Sequence, residues 1–408
     1  MTLSNRGWQL ALGVIAMLAA SSPQYVWALF VPPVQESLGV GLPALQVTIA
    51  LFSIFQCAFG PLHGILVERF QARWIVAIGG VLLGLSWVLS SFVTSLPMFY
   101  VTYGLLSGVG TGFIFVATTN LVAQWFPDRR GFAVGMVVGS YGMGAILTTL
   151  PIDGIIKAYD YRTALLWVGV VLGVVCTLAG LGMRAPPVVE QTEASGAVAA
   201  RRSYTPREML KSPIFWLLFL MMIMVGTGGL MAISQIGVIA KTFGIGPATL
   251  VFGVAALPLA LTLDRIANGA SRPLFGAISD RIGREPTMAL AFVMEAVGII
   301  ALLHFGSNPV LFVLLTGVVF LGWGEIFSLF PAAQADFFGP KHGAKNLGWL
   351  LIAVAVASVL GGPLAAYMFT VTGSWSTVFY MVSGLDVTAA VLALAVLRPL
   401  RLKALAAA

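Results

Sequence analysis

Apolar stretches long enough to cross a bilayer recur about twelve times along this chain, each near or above the roughly 20 residues that a helical crossing needs. No other feature constrains the fold as tightly. Lipid offers no water to an exposed peptide group, so such stretches must satisfy their backbone internally, as helices. Extended strands of alternating polarity, the mark of an outer-membrane barrel, are absent. Charge agrees: 9% of residues are charged, against about 25% in a soluble domain. Mean hydropathy is +0.97. The pattern predicts helices over 8–30, 43–67, 74–95, 97–124, 131–157, 162–183, 213–241, 248–279, 286–305, 309–335, 344–370 and 375–397. The expected fold is an all-α membrane protein of twelve transmembrane helices in two six-helix bundles.

One long polar stretch interrupts this pattern, "RAPPVVEQTEASGAVAARRSYTPREMLKS" from Arg184 to Ser212. Its Pro, Ala, Ser and charge content reads as a linker with a short helix near "PREML". The domains expected are therefore 1–184, a cytoplasmic linker over 185–212, and 213–408. Basic residues fix the orientation. Arg6, Arg69, Arg73, Arg129, Arg130, Arg184, Arg201, Arg202, Arg207, Lys211, Arg281, Arg284, Lys341, Lys345, Arg398, Arg401 and Lys403 fall on one side of a twelve-span arrangement, and Lys157, Arg162 and Lys241 on the other. By the positive-inside tendency both termini and the linker are expected in the cytoplasm, in a multi-pass inner-membrane protein.

The net charge of +7 thus reports topology and gives no reason to expect a nucleic-acid partner. The start, charged and then apolar through "LAASS", mimics a signal peptide. The apolar run continues past Tyr25, Trp27 and Phe30, so an uncleaved first span is expected. Cys57 and Cys176 fall inside spans, with no disulfide framework and no zinc spacing. No GxxxxGK[ST] run exists, which argues against ATP-driven transport. No metal, no cofactor and no enzymatic nucleophile-with-base arrangement is expected.

The two halves resemble each other. "PLHGILVERFQAR" begins at Pro61 and "PLFGAISDRIGRE" at Pro273, 212 residues later, and at the same offset "WFPDRRG" (125–131) falls opposite "FFGPKHG" (337–343). Two matches at one offset imply a duplicated six-helix unit related by an axis along the membrane normal, with the working site between the copies. The first pair of segments carries Gly64, Glu68, Arg69 and Arg73, and then Gly276, Asp280, Arg281, Gly283 and Arg284. An acid at a helix end facing arginines can form a charge-assisted latch whose breaking accompanies opening. These residues resemble the loop motif between the second and third spans of the major facilitator superfamily. The first copy departs from it, with Glu68 for the usual Asp and Gln71 for a Gly. Glycines crowd the fourth and fifth spans (Gly104, Gly108, Gly112, Gly131, Gly135, Gly139, Gly142 and Gly144), as close helix approach requires.

Arg272 stands out. It lies eight residues from Asp280, about 12 Å deeper along a helix, which in a core about 30 Å thick is near mid-depth. A cation there is costly unless it lines a cavity or is paired, so function is the default reading. Asn268 shares its helical face, Arg265 nearly does, and Asp264 lies one position further round. A forked guanidinium suits a planar carboxylate, because parallel N–H donors meet both oxygens. The competing reading is an internal salt bridge of Arg272 or Arg265 with Asp264, Glu295 or Glu325. Mid-span Gln24, Tyr25, Tyr141, Phe115, Trp323 and Phe327 could wall a cavity.

A finer resemblance is to the oxalate/formate antiporter family and the related monocarboxylate transporters. "PQYVWALFVPPV", "WFPDRRGFAVGM", "EMLKSPIFWLL" and "NGASRPLFGAISDRIGR" carry it. It implies that Arg272 holds a substrate carboxylate and that Gln24, Tyr25, Tyr141 and Trp323 line the cavity. Where oxalate-exchanging relatives place a second cation in the eleventh span, this chain has Val354, and two of their tyrosines correspond to Phe115 and Phe327. One cation with more apolar walls favours a small monoanion such as lactate or pyruvate over a dianion. Mammalian-type carriers have an aspartate where Asn268 stands, so their proton relay does not transfer. Carrying a monoanion inward costs about 2.3 kcal/mol per 100 mV, which a co-transported proton cancels. Asp264 and Glu325, then Glu295 and Asp386, are the candidate proton carriers. The expected function is proton-coupled monocarboxylate symport by a monomer surrounded by lipid. The alternative is carboxylate/formate exchange.

Overall fold

The computed structural model describes residues 3–186, 203–246, 248–361 and 365–406. The core of the expected linker, 187–202, lies outside the described residues. Helices occupy each of the twelve apolar stretches. The first contains α1 (Leu3–Ala20), α2 (Ser22–Tyr25) and α3 (Trp27–Leu38), with a 48° bend between Tyr25 and Leu29. The rest of the first half holds α4 (Leu42–Ser53), a π-helical turn (Ile54–Ala58), α5 (Gly60–Ser91), α6 (Leu96–Phe99), a second π-helical turn (Tyr100–Leu106), α7 (Ser107–Trp125), α8 (Arg130–Ala158) and α9 (Tyr161–Gly182). After the short α10 (Pro206–Leu210) come α11 (Pro213–Thr242), β1 (Leu250–Val251), β2 (Val254–Ala255), α12 (Ala256–Ile282), α13 (Arg284–Phe305) and α14 (Pro309–Trp323). The chain finishes with α15 (Ile326–Phe338), α16 (Gly343–Val359), α17 (Ala365–Thr372), α18 (Trp375–Leu392), a π-helical turn (Ala393–Leu397) and α19 (Arg398–Ala406).

Among the described residues eight helices are long and apolar enough to cross a membrane alone, and the bent first pair makes nine. The apolar helices at 44–58 and 343–358 are shorter. α12 carries Asp264, Arg265, Arg272, Asp280 and Arg281 and so lacks a purely apolar stretch.

Two local features differ from the sequence expectation. The eighth stretch does not begin as a helix at 248. Val251 pairs with Val254 in a two-residue hairpin, because Phe252 and Gly253 both adopt positive φ (51° and 80°), as the tight primed turns require. The second and third stretches are joined at one residue. Gln71 (φ 63°, ψ 146°) is the break inside α5. Gly283, 212 positions on, holds the same kind of geometry (φ 99°, ψ 161°) between α12 and α13. Glycine reaches that region freely, whereas a glutamine is strained there by on the order of 1–3 kcal/mol. Gln71→Gly is therefore expected to raise the thermal unfolding midpoint of the purified protein. A lowered midpoint would show that the glutamine side chain compensates the strain.

The chain forms two compact units. One comprises Met1–Asp128, Met136–Pro206 and Phe338–Ile352, the other Arg129–Gly135, Arg207–Phe337 and Ala353–Ala408. In the first, α5 packs against α7 and α9, and α1 against the same two helices. The contact of α5 with α7 is close: a Cβ on Gly79 would stand 2.8 Å from the Gly110 carbonyl oxygen. In the second, α12 packs on α14, α13 on α14 and α18, and α11 on α18. Each unit also takes one short segment from the other half of the sequence. The opening turn of α8 groups with the second unit and the start of α16 with the first.

Candidate functional site

In the second unit the site is built on α12 and on the break between α14 and α15. Arg272 is 1% exposed. Pro273 follows it inside α12, removing one backbone donor and loosening the helix at that turn. The Arg272 Nη2 donates to Asn268 Oδ1 at 3.0 Å, one turn back. The guanidinium carbon lies 4.8 Å from the centre of the Phe327 ring, a cation–π distance. Phe327 meets Trp323 edge-on, with ring centres 5.4 Å apart. Trp323 ends α14, and α15 resumes at Ile326. The structure thus brings Arg272, Asn268, Phe327 and Trp323 into one cluster, with the amide and ring faces setting the guanidinium's plane. The two candidate acids do not join it by hydrogen bonding in the same way: Glu325, on the break itself, meets no hydrogen-bond partner among the described residues, and Asp264 lies beside Thr316 and Arg265.

In the first unit Gln24 and Tyr25 sit on α2, where Pro23 interrupts the span. The Tyr141 hydroxyl of α8 donates to Gln24 Oε1 at 2.7 Å and accepts from Gln56 Nε2 at 2.8 Å. Tyr25 and Phe115 flank the Tyr141 ring edge-to-face, at 5.8 and 5.7 Å. Gln56 was not singled out from the sequence. It lies in the π-helical turn over Ile54–Ala58, and such turns often mark functional sites. The available signal was one amide within the apolar run "ALFSIFQCAFG". Because the Tyr141 hydroxyl donates to the carbonyl oxygen of Gln24, the Gln24 amide nitrogen keeps its own N–H donors.

The repeated motif residues act differently from a simple pairing of acid with adjacent arginine. Within the second unit Asp280 accepts from the backbone N–H groups of Gly131 and Phe132, both at 2.9 Å, and from Arg284 Nη1 at 2.7 Å. It therefore caps the N-terminus of α8, where a carboxylate complements unpaired donors and the helix dipole. Arg284 also donates to Asp336 at 2.8 Å, and Arg130 pairs with Asp336 as well. Within the first unit Glu68 accepts from the backbone N–H of Lys345 at 3.1 Å and pairs with the Lys345 ammonium at 2.8 Å, capping α16. The acids (68 and 280) and the helix starts they cap (near 344 and 132) obey the offset of 212. Arg69 and Arg73 stack on Phe70 and Trp74, and Arg281 is exposed. Close glycines accompany each cap. A Cβ on Gly276 would stand 2.1 Å from the Gly131 carbonyl oxygen, and one on Gly64 2.3 Å from that of Ala344. Arg130 was read from the sequence as a boundary charge and Asp336 was not singled out, so their role in this network was missed.

Two units of packed membrane helices, duplicated with their motifs, and a polar cluster at mid-span define a multi-pass membrane transporter. The chain belongs to the major facilitator superfamily, whose sequence profile matches residues 11–263 and 236–407. Among its relatives, the oxalate:formate antiporter of Oxalobacter formigenes is 32% identical over 92% of this chain and 88% of its own length. Monocarboxylate transporter 13 of Bos taurus is 26% identical over 83% of this chain and 77% of its own. Among solved structures, the proton:xylose symporter XylE superposes with a TM-score of 0.73 at 14% identity, covering 97% of both chains. The fucose:proton symporter FucP of E. coli does so with 0.72 at 12% identity, over 95% of this chain and 97% of its own. At those identities the structures speak to the fold alone. These relatives are transporters, not enzymes.

Proposed function

We propose that this transporter imports a small monocarboxylate of the lactate or pyruvate type together with a proton, by alternating access, with both termini and the linker in the cytoplasm. The observation that carries the reading is the buried Arg272 guanidinium, held in plane by Asn268 and the Phe327 ring at mid-span. A planar fork of donors fits a carboxylate, and in a site of low dielectric each charge-assisted bond is strong. Gln24, Tyr25 and Tyr141 are proposed to supply further hydrogen bonds to the substrate, and Trp323, Phe115 and Phe327 to limit its size. Val354 offers no second cation, so a dianion would leave one carboxylate unmatched. Asp264 and Glu325 are the proposed proton carriers, and the caps made by Glu68 and Asp280 the contacts that break as access alternates.

The oxalate:formate antiporter relative favours a second reading, electroneutral exchange of one carboxylate for another. Proteoliposomes separate the two. Under an inward proton gradient, lactate is expected to accumulate above its external concentration, and collapse of the gradient is expected to abolish accumulation. Strong counterflow with no gradient-driven accumulation would favour exchange instead.

A further inference from the structure

The anion cluster leaves three buried acids of the second unit to be accounted for. Glu295 on α13, Asp386 on α18 and Glu325 at the α14–α15 break are all fully buried. None of their carboxyl oxygens meets a hydrogen-bond partner among the described residues. They are also neighbours. A Cβ placed on Gly228 of α11 would stand 3.1 Å from Glu295 Oε1 and 3.9 Å from Asp386 Oδ1. Those two oxygens therefore lie within about 7 Å of each other. Gly322, three residues before Glu325, packs on Glu295: a Cβ there would stand 2.9 Å from the Glu295 Cβ.

The packing around them is apolar: Met231 of α11, Ile299 of α13, Val319 and Phe320 of α14, and Phe379 of α18 border a small void one or two turns along from the acids, and its surface is apolar. Three ionised carboxylates without donors would be prohibitively costly in such surroundings unless a cation joined them. No group of acids among the described residues is arranged to hold a metal ion. The proton is the cation that fits.

We propose that Glu295, Asp386 and Glu325 form a proton-exchange site inside the second unit. A proton leaves water to form an O–H bond on a carboxylate oxygen of the cluster and returns to water when that bond breaks. The site is distinct from the anion cluster but shares one element with it. Glu325 lies on the short break between Trp323 and Phe327, and the Phe327 ring carries the Arg272 guanidinium, so gain or loss of its proton acts on a residue that orients that group. This inference deepens the proton-coupled reading and rests on it for its transport consequence.

Two measurements test it, and their failures are distinguishable. In proteoliposomes the double variant Glu295→Gln, Asp386→Asn is expected to lose about ten-fold or more of proton-gradient-driven lactate accumulation while lactate counterflow stays within about two-fold of wild type. Accumulation that survives the double substitution overturns the proposal. The second measurement needs no substrate. Infrared difference spectra of the purified wild-type protein between neutral and alkaline buffer, in H2O and D2O, are expected to show the carbonyl stretch of protonated carboxylic acids. The single variant Glu295→Gln is expected to diminish that band. An absent band, or one unchanged in the variant, overturns the site even if lactate transport stands. A cluster response that follows sodium at constant pH would overturn it as well. If wild type moves no monocarboxylate but the band behaves as expected, the site stands and the substrate reading falls.

Discussion

Arg272→Lys is expected to reduce saturable monocarboxylate uptake by about ten-fold or more while the protein still reaches the membrane. The substitution keeps the charge and loses the geometry. An ammonium cannot present two parallel N–H donors to a carboxylate, nor lie flat on the Phe327 ring while an amide holds its edge. A lost charge-assisted hydrogen bond is worth about 1.5–3 kcal/mol, a factor of about ten to a hundred or more in affinity. Uptake of labelled lactate into cells, normalised to membrane-inserted protein, reads the effect directly. Asn268→Ala removes the group that fixes the guanidinium at 3.0 Å without touching the charge. It is expected to raise the half-saturation concentration more than it lowers the maximal rate.

Gly276→Val is expected to abolish transport through a different cause. The new Cβ alone would stand 2.1 Å from the Gly131 carbonyl oxygen and 2.5 Å from its carbon. Those are backbone atoms and cannot swing aside. The opening turn of α8 must then move off α12, carrying away the two N–H groups that Asp280 caps and parting Arg130 from Asp336. Gly154→Val provides the control, because nothing lies within 4 Å of a Cβ there. Transport reduced by more than about ten-fold in the first variant and near wild type in the second is the expected pattern. Equal behaviour of the two would mean that the close contact of Gly276 with Gly131 has no role in the cycle.

Much of this was legible because membrane physics restricts the options. Only helices can carry the apolar stretches, and a mid-span arginine must have a purpose. The offset of 212 that aligned two sequence segments reappears as backbone conformation, in the positive φ of Gln71 and Gly283, and as chemistry, in the two acid caps. What escaped the sequence has local physical causes. The hairpin before α12 depends on two consecutive positive φ values, one at Phe252, a residue type that gives no warning of it. Gln56 comes into reach of Tyr141 through a π-helical turn, and a pattern read at 3.6 residues per turn misplaces such a residue. Arg130 looked like a boundary charge because charge at a span end ordinarily sets topology, and only packing reveals that it pairs with Asp336. Glu68 and Asp280 were singled out as acids facing arginines, yet the groups they bind most closely include peptide N–H donors, which no sequence pattern displays.

Ligand-induced thermal stabilisation of the purified protein bears most directly on whether Arg272 grips a carboxylate. Lactate is expected to raise the unfolding midpoint of the wild-type protein, its uncharged amide analogue is not, and Arg272→Lys is expected to respond to neither. Equal stabilisation by the acid and the amide, or a lactate response undiminished in the variant, would contradict that claim.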